Sequence, residues 1–143
     1  MFELGTDGPR SIMVGVDGSE TSLRAGAYAA GLARRQGSHL VIIFVHTVSA
    51  SFAPEVVVAK QAMQQDVLDE LRATLAEQAP RLAIEYTLYE REGNPYVEIT
   101  HLADELRVDA IVVGASTSAG HRLVGSLASH LVRDARWPVT VVP

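Results

Sequence analysis

Small and polar residues directly follow an apolar stretch at two places in the chain. The first place is VGVDGSE, in which Asp17 follows the apolar residues and precedes Gly18 and Ser19. A carboxylate here can accept a hydrogen bond from an amine or a hydroxyl group of a ligand. It can equally accept from nearby backbone amides and close a turn, as Asp often does. Both interpretations of Asp17 stay open, and Ser19 is predicted to cap the helix that follows.

The second place is VVGASTSAGHRLVGS, residues 112–126. Gly114 permits a sharp turn or a close approach of backbone to a ligand. The residues after it are small or hydroxylated, so their amides can form a nest for an anion. Gly125 and Ser126 open a helical pattern, and a helix N-terminus also favours an anion. The alternative is a plain surface loop with Ser126 as an ordinary N-cap.

Two donor side chains, His121 and Arg122, lie inside this second stretch. Arg122 in particular is a suitable partner for phosphate oxygens. The alternative is a solvated pair on the surface of a loop, and the sequence favours it slightly.

Motifs of catalysis and of other nucleotide sites are missing from the sequence. There is no Gly-Lys-Ser/Thr, no Gly-x-Gly-x-x-Gly after the first strand and no Gly-x-Ser-x-Gly. The five histidines show no close ligand spacing such as His-x-x-x-His, so no metal site is predicted. Spacing gives no support to a triad of Ser126, His121 and Asp17. We therefore predict no catalytic residue and, at most, a weak nucleotide hydrolase.

Composition limits the class of protein. The 143 residues suit a single domain with a sizeable core, and the net charge of −5 is evidence against nucleic-acid or anionic-membrane partners. Without cysteine there are no disulfides and no thiolate chemistry. The N-terminal residues lack an apolar signal segment, and the longest apolar run is too short to span a bilayer. We expect a cytoplasmic protein with residues 1–10 as a loose leader and one domain over residues 11–143.

Five strands are predicted from short apolar or alternating stretches. They are Ile12–Val16, Leu40–His46, Ala83–Tyr89, Ala110–Val113 and Val139–Val142. Four of these are rich in Val and Ile and almost wholly apolar, which is typical of strands buried on both faces. The third alternates between apolar and polar residues, which indicates an edge strand with one wet face.

Four helical patterns lie between the strands. The first, over residues 21–36, has small residues on the face that carries Leu23, Ala27 and Ala30, which would let it lie close to the sheet. The second, over residues 54–78, carries a stripe of Met63, Val67, Leu71 and Leu75. The third begins at Pro95 after Asn94 as N-cap, and the fourth begins at Ser126 and ends before Trp137-Pro138.

The alternation of strands and helices predicts a parallel sheet covered by helices on both faces. In such a doubly wound sheet, ligands bind outside the carboxyl ends of the strands where the winding reverses. We place that reversal between the first and fourth strands. Their ends carry Asp17 and the stretch from Gly114, so these two places should face each other.

The order and spacing of four segments in the chain resemble those of the universal stress protein family. The resemblance extends from about Ser11 to Val142 and rests on four segments: IMVGVDGSETSLRAGAYAAGLA, VIIFVHTV, REGNPYVEITHLADELRVDAIVVGAS and LVGSLASHLVRDARWPVTVV. It implies an α/β fold with a doubly wound open sheet of five parallel strands in the order 3-2-1-4-5. It also implies a homodimer through the last strand. Val139–Val142 is a short apolar edge that suits such pairing.

Many members of that family bind ATP or another adenine nucleotide through a motif. The motif is Gly, two residues, Gly, nine residues, Gly, and then Ser or Thr. Gly114 matches its first position and Gly125-Ser126 its end. Thr117 occupies the second glycine position, and the loop is two residues short; Gly120 is a partial substitute for the missing glycine.

The resemblance also implies roles for individual residues. Asp17 and the backbone near Thr47 would contact adenine, whereas the glycines and Ser126 would contact ribose and phosphates. A second branch of the family lacks the motif and does not hold ATP. Two functions therefore remain: a dimeric stress protein that binds an adenine nucleotide, and a dimeric interaction protein without one.

Overall fold

The computed structural model describes residues 4–5, 8–47, 52–116 and 124–143 of the chain. These residues form five strands and four helices that alternate along the sequence. The strands are β1 (Ser11–Val16), β2 (His39–His46), β3 (Tyr86–Glu92), β4 (Ala110–Gly114) and β5 (Val139–Val142). The helices are α1 (Glu20–Gln36), α2 (Pro54–Leu82), α3 (Pro95–Leu106) and α4 (Ser126–Asp134).

The strands form one parallel sheet in the order β3-β2-β1-β4-β5, which confirms the expected doubly wound topology. The central strand β1 pairs on one side with β2 and on the other with β4, so that Ile12 lies between Leu40 and Ala110. The chain passes from β1 to β2 and β3 on one side and then returns to add β4 and β5 on the other side. The direction of winding therefore reverses between β1 and β4.

Each face of the sheet buries its own apolar cluster. Residues of α1 and α2 pack with one set of alternate strand side chains, including Ile12 and Val14. Residues of α3 and α4 pack on the opposite face with Met13 and Ile111. Burial on both faces explains why the central strands read as continuous apolar runs.

Two predicted boundaries were wrong. Helix α2 continues through Pro80 to Leu82 instead of ending at residue 78, and β3 covers Tyr86–Glu92 instead of Ala83–Tyr89. Ala83 ends the helix in a left-handed conformation with φ of 53°. Pro80 lies in the last turn of α2, so the helix accommodates the loss of one hydrogen bond there before it ends.

The buried face of α1 also differs from the prediction. Leu23 is 49% exposed, and Ala27 points to solvent. The residues that face the sheet are instead Thr21, Ser22, Ala25, Ala29 and Ala33. Helix α1 does lie close to the sheet, as expected, but a different face makes the contact and Leu23 is turned away from it.

The stripe on α2 is confirmed only in its C-terminal part. Leu71 and Leu75 pack against the apolar cluster, and Leu68 is fully buried. Met63 is 69% exposed and is not part of the contact with the sheet. In the N-terminal half of α2, Val56, Val58 and Met63 are exposed, so the predicted apolar stripe does not reach this part of the helix.

A very close contact fixes the start of α1 against the end of β4. A Cβ at Gly114 would lie 2.6 Å from the carbonyl carbon of Thr21 and 2.7 Å from the backbone nitrogen of Ser22. The Thr21 hydroxyl, which is buried, donates a hydrogen bond of 2.6 Å to the carbonyl oxygen of Ala115. Glycine is needed at position 114 because helix backbone occupies the space of a side chain.

We predict that Gly114→Ala lowers the free energy of unfolding by about 1–3 kcal/mol, the usual cost of overpacking. The matched control is Gly31→Ala in the interior of α1, where an added Cβ meets nothing within 4 Å. That substitution should raise stability by about 0.5–1 kcal/mol because alanine favours helix. Urea denaturation of both variants measures the two changes, and equal effects would contradict the proposed contact.

Candidate functional site

A cavity of about 520 Å³ opens at the carboxyl edge of the sheet. Its floor is formed by the ends of β1, β2 and β4, and its walls by the first turns of α1, α3 and α4 and by one face of α2. This is the crevice between β1 and β4 in which the topology predicted a ligand site.

Five of the predicted site residues line this one cavity: Asp17, Thr47, Gly114, Gly125 and Ser126. They come from four separate segments, so the fold brings together what the sequence keeps far apart. The other three, Thr117, Gly120 and Arg122, lie outside the described residues, as does His121. Their predicted contacts with a ligand stay predictions.

Asp17 takes part in the hydrogen bonds that close the turn before α1. Its Oδ1 accepts from the Ser19 amide at 2.8 Å, and its own amide donates to the Ser22 hydroxyl at 3.2 Å. Partial removal from water acts to raise the pKa of this carboxyl. Hydrogen bonds from Ser19 and Ser22 outweigh that effect and hold the pKa below the ordinary 3.8. Asp17 is therefore an exposed, ionised acceptor at the mouth of the cavity that also caps its own turn.

Three helix N-termini reach the cavity, and two of them are capped by side chains. Ser19 accepts from the Ser22 amide at the start of α1, as predicted, and Asn94 accepts from the Val97 amide at the start of α3. Helix α4 begins after Gly125, which has no side chain to accept a hydrogen bond. The predicted start of α4 at Ser126 is confirmed, and the alternative interpretation of Ser126 as an ordinary N-cap does not hold, because Gly125 occupies that position.

Gly125 is required by space rather than by backbone conformation. Its φ is −66°, which any residue can adopt, but a Cβ there would lie 2.9 Å from the Cβ of Ser116. Ser116, two residues after β4, and Gly125, directly before α4, are therefore closely packed against each other. This contact keeps the first amides of α4 beside the carboxyl end of the sheet.

Two lining residues of α2 were not predicted from the sequence: Lys60 and Gln64. Gln64 donates from Nε2 to the Thr47 hydroxyl at 3.1 Å, and its Oε1 is buried without a hydrogen-bond partner among the described residues. The sequence contains a signal for both residues in their four-residue spacing along the helix. Counting back from the buried Leu68 in steps of four residues gives Gln64 and then Lys60 on the same face of the helix.

His46, at the end of β2, is packed and hydrogen-bonded. Its Nε2 lies 2.6 Å from the Glu90 carboxylate, and its ring contacts the Phe44 ring edge to face.

Within the described residues there is no group of three or more His, Asp or Glu side chains that could hold a metal ion. In the same part of the chain, no helix is long and apolar enough to cross a membrane.

Comparison with known proteins defines the family. The profile of the universal stress protein family matches residues 9–143, so the chain belongs to that family. The universal stress protein Rv1636 of Mycobacterium tuberculosis is 30% identical over 150 aligned positions, which cover 93% of this chain and 95% of that protein. This confirms the resemblance seen in the sequence.

Solved structures support the fold over nearly the whole chain. The universal stress protein UspA of Lactobacillus plantarum has a TM-score of 0.73 at 25% identity and covers 93% of this chain and 97% of its own. A family member from Arabidopsis thaliana with AMP bound has a TM-score of 0.67 at 18% identity, with 94% and 91% covered. A universal stress protein in complex with cAMP has a TM-score of 0.63 at 23% identity, with 94% and 97% covered.

We predict that the Asp17 carboxyl titrates below pH 3.8 in the folded protein and that Ser19→Ala raises its midpoint. The substitution removes a hydroxyl hydrogen bond and keeps the Ser19 amide. The folded-state pKa is lower than the unfolded value, so ionised Asp17 stabilises the fold above pH 3.8. That contribution is lost as the pH falls through the folded-state pKa. Carboxyl-carbon NMR titration measures the midpoint, and a value above 3.8 in the wild type would contradict the hydrogen-bond network.

Proposed function

We propose that this universal stress protein binds an adenine nucleotide, ATP or a related one, in the cavity between β1 and β4. The observation that carries the proposal is the start of α4, which faces the cavity without a side-chain cap from any described residue. Free amides at a helix N-terminus are well suited to phosphate. Family members of the same fold that hold AMP or cAMP add support.

The cavity offers complementary groups for the two ends of such a ligand. Asp17 is an ionised acceptor, suited to an amino or hydroxyl donor, and with Thr47 it would contact the adenine. Gly114, Gly125 and the Ser126 amide would meet the ribose and phosphates, with no side chain on either glycine to keep them away. The cavity volume lies within the range of small-molecule sites.

We further propose binding without catalysis. A general base works best when its pKa lies near the working pH. The hydrogen bonds that lower the pKa of Asp17 make it a weak base, so it is suited to recognition. The hydroxyl groups that line the cavity in the described residues have no histidine beside them in that lining to activate them.

We also propose a homodimer formed through the edge strand β5. The Ile111 amide donates to the oxygen of Pro138, directly before β5, and the Ala115 amide to the Val142 oxygen, so both of these carbonyl groups point toward β4. By alternation, the N–H and C=O groups of Val139 and Val141 point away from the sheet. An outward row of backbone groups is a template for a second chain.

The binding proposal is tested by adding a negative charge at the start of α4. Ser126 is exposed, and an acidic residue in the first turn favours the helix dipole by about 0.3–1 kcal/mol, so Ser126→Asp should fold normally. The carboxylate would occupy the place of a phosphate and repel it. We expect the affinity for AMP and ATP, measured by calorimetry, to fall by about tenfold or more.

The control for this experiment is Ser126→Asn, which has nearly the same shape without the charge. It should retain most of the wild-type affinity. Equal affinity of the Asp and Asn variants would show that phosphate does not bind at α4. Absence of saturable binding by the wild-type protein would contradict the proposal and would favour the nucleotide-free interaction protein.

The dimer is tested with Val141→Pro, which removes one outward N–H of β5 and leaves the hydrogen bonds to β4 in place. We expect sedimentation velocity to show a dimer for the wild type and a monomer for this variant. Val141→Ala is the matched control, because it shortens the side chain but keeps the amide. A monomeric wild type, or a proline variant that dimerises as well as the alanine variant, would contradict pairing through β5.

A further inference from the structure

Lys60 is the only lysine in the chain, and it lies on the wall of the cavity. It belongs to the N-terminal half of α2, where most residues are exposed. Lys60 and Gln64 instead turn inward and are partly buried. Lysine side chains normally extend into water, so an inward position beside a cavity needs a physical reason.

No other side chain in the described part of the protein neutralises Lys60. It forms neither an ion pair nor a hydrogen bond with any described residue. Among the described residues that line the cavity, the only other charged side chain is Asp17. The Asp17 carboxylate is already engaged by the Ser19 amide and does not pair with Lys60. The ammonium group is therefore available to an anion that enters the cavity.

The position of Lys60 complements that of the α4 N-terminus. Helix α2 packs on the same face of the sheet as α1, whereas α4 packs on the opposite face. Lys60 and the first turn of α4 thus approach the cavity from the two sides of the sheet edge. A net charge of −5 repels an anionic ligand at long range, so positive groups inside the cavity must supply the local attraction.

We propose that Lys60 contacts the phosphate part of the bound nucleotide and so selects phosphorylated ligands over the uncharged nucleoside. The inference rests on the proposed nucleotide function and adds to it a residue of α2 that discriminates by charge. The ammonium meets the phosphate oxygens from the α2 side, while the α4 amides meet them from the other. Screening by bulk water is weaker in a partly enclosed cavity than at an open surface, which strengthens this ion pair.

The first test compares the binding of adenosine, AMP and ATP to the wild type and to Lys60→Met by calorimetry. Methionine keeps the length of the side chain and removes its charge. We expect the affinity for AMP and ATP to fall by about tenfold and the affinity for adenosine to stay unchanged. Lys60→Arg should retain most of the affinity for both phosphorylated ligands, because its charge is the same.

Arg34→Met is the control for the change in net charge. Arg34 is exposed in the last turn of α1, roughly 20 Å along the helix axis from the end that reaches the cavity. This variant should bind all three ligands as the wild type does. A loss of AMP affinity equal to that of Lys60→Met would show a long-range charge effect and overturn the inference.

A second test uses chemical labelling and does not depend on a variant. Because Lys60 is the only lysine, an acetylating N-hydroxysuccinimide ester, which reacts preferentially with amines, modifies mainly this side chain and the terminal amine, and peptide mass spectrometry separates the two. Saturating AMP should slow the modification of Lys60 several-fold, and saturating adenosine should not.

The outcomes separate this inference from the proposed function. Wild-type affinity of Lys60→Met for AMP, or equal protection by adenosine and AMP, would overturn the role of Lys60 and leave the nucleotide site intact. Loss of adenosine affinity together with AMP affinity would assign Lys60 to the nucleoside or to the fold and also overturn it. A wild-type protein that binds none of the three ligands would overturn both proposals.

Discussion

The site depends on the contact between the first turn of α1 and the end of β4. The missing side chain of Gly114 lets helix backbone lie against the strand, and the buried Thr21 hydroxyl ties that turn to the Ala115 carbonyl. Asp17 immediately precedes this turn, so the same contact sets its position at the cavity mouth. Gly114 can therefore serve the fold and the site at once. A glycine in this motif is explained by helix packing even before any ligand is considered.

The parallel topology directs several helix N-termini toward one place, and the side chains decide which of them is free for a ligand. The side chains of Ser19 and Asn94 accept hydrogen bonds from backbone amides at the starts of α1 and α3, so these two helices are capped within the protein. No described side chain caps the start of α4 after Gly125, and Lys60 brings a positive charge from the other side of the sheet edge. The cavity thus combines an ionised acceptor at Asp17 with two sources of positive potential, a suitable arrangement for a ligand that has a donor-bearing base and an anionic tail.

Sequence alone could predict the sheet, because strands buried on both faces read as apolar runs with little ambiguity. It could not place the end of α2, since Pro80 reads as a helix stop although the helix continues past it to Leu82. The inward face of α1 was missed because Leu23 was assumed to be buried, whereas close packing selected smaller residues. Lys60 and Gln64 were missed because polar residues on a helix read as solvated. Only the three-dimensional position of α2 shows that they line a cavity.

The most direct measurement of the central claim is a titration of the ¹⁵N-labelled protein with AMP, followed by amide NMR. We predict saturable shifts at the amides of Ser126, Leu127 and Ala128 and at Asp17, because these groups line the phosphate and base ends of the proposed site. Adenosine should shift Asp17 without the large changes at the start of α4. Unchanged amides at α4 and Asp17 in the presence of saturating AMP, or shifts confined to another surface, would contradict the account.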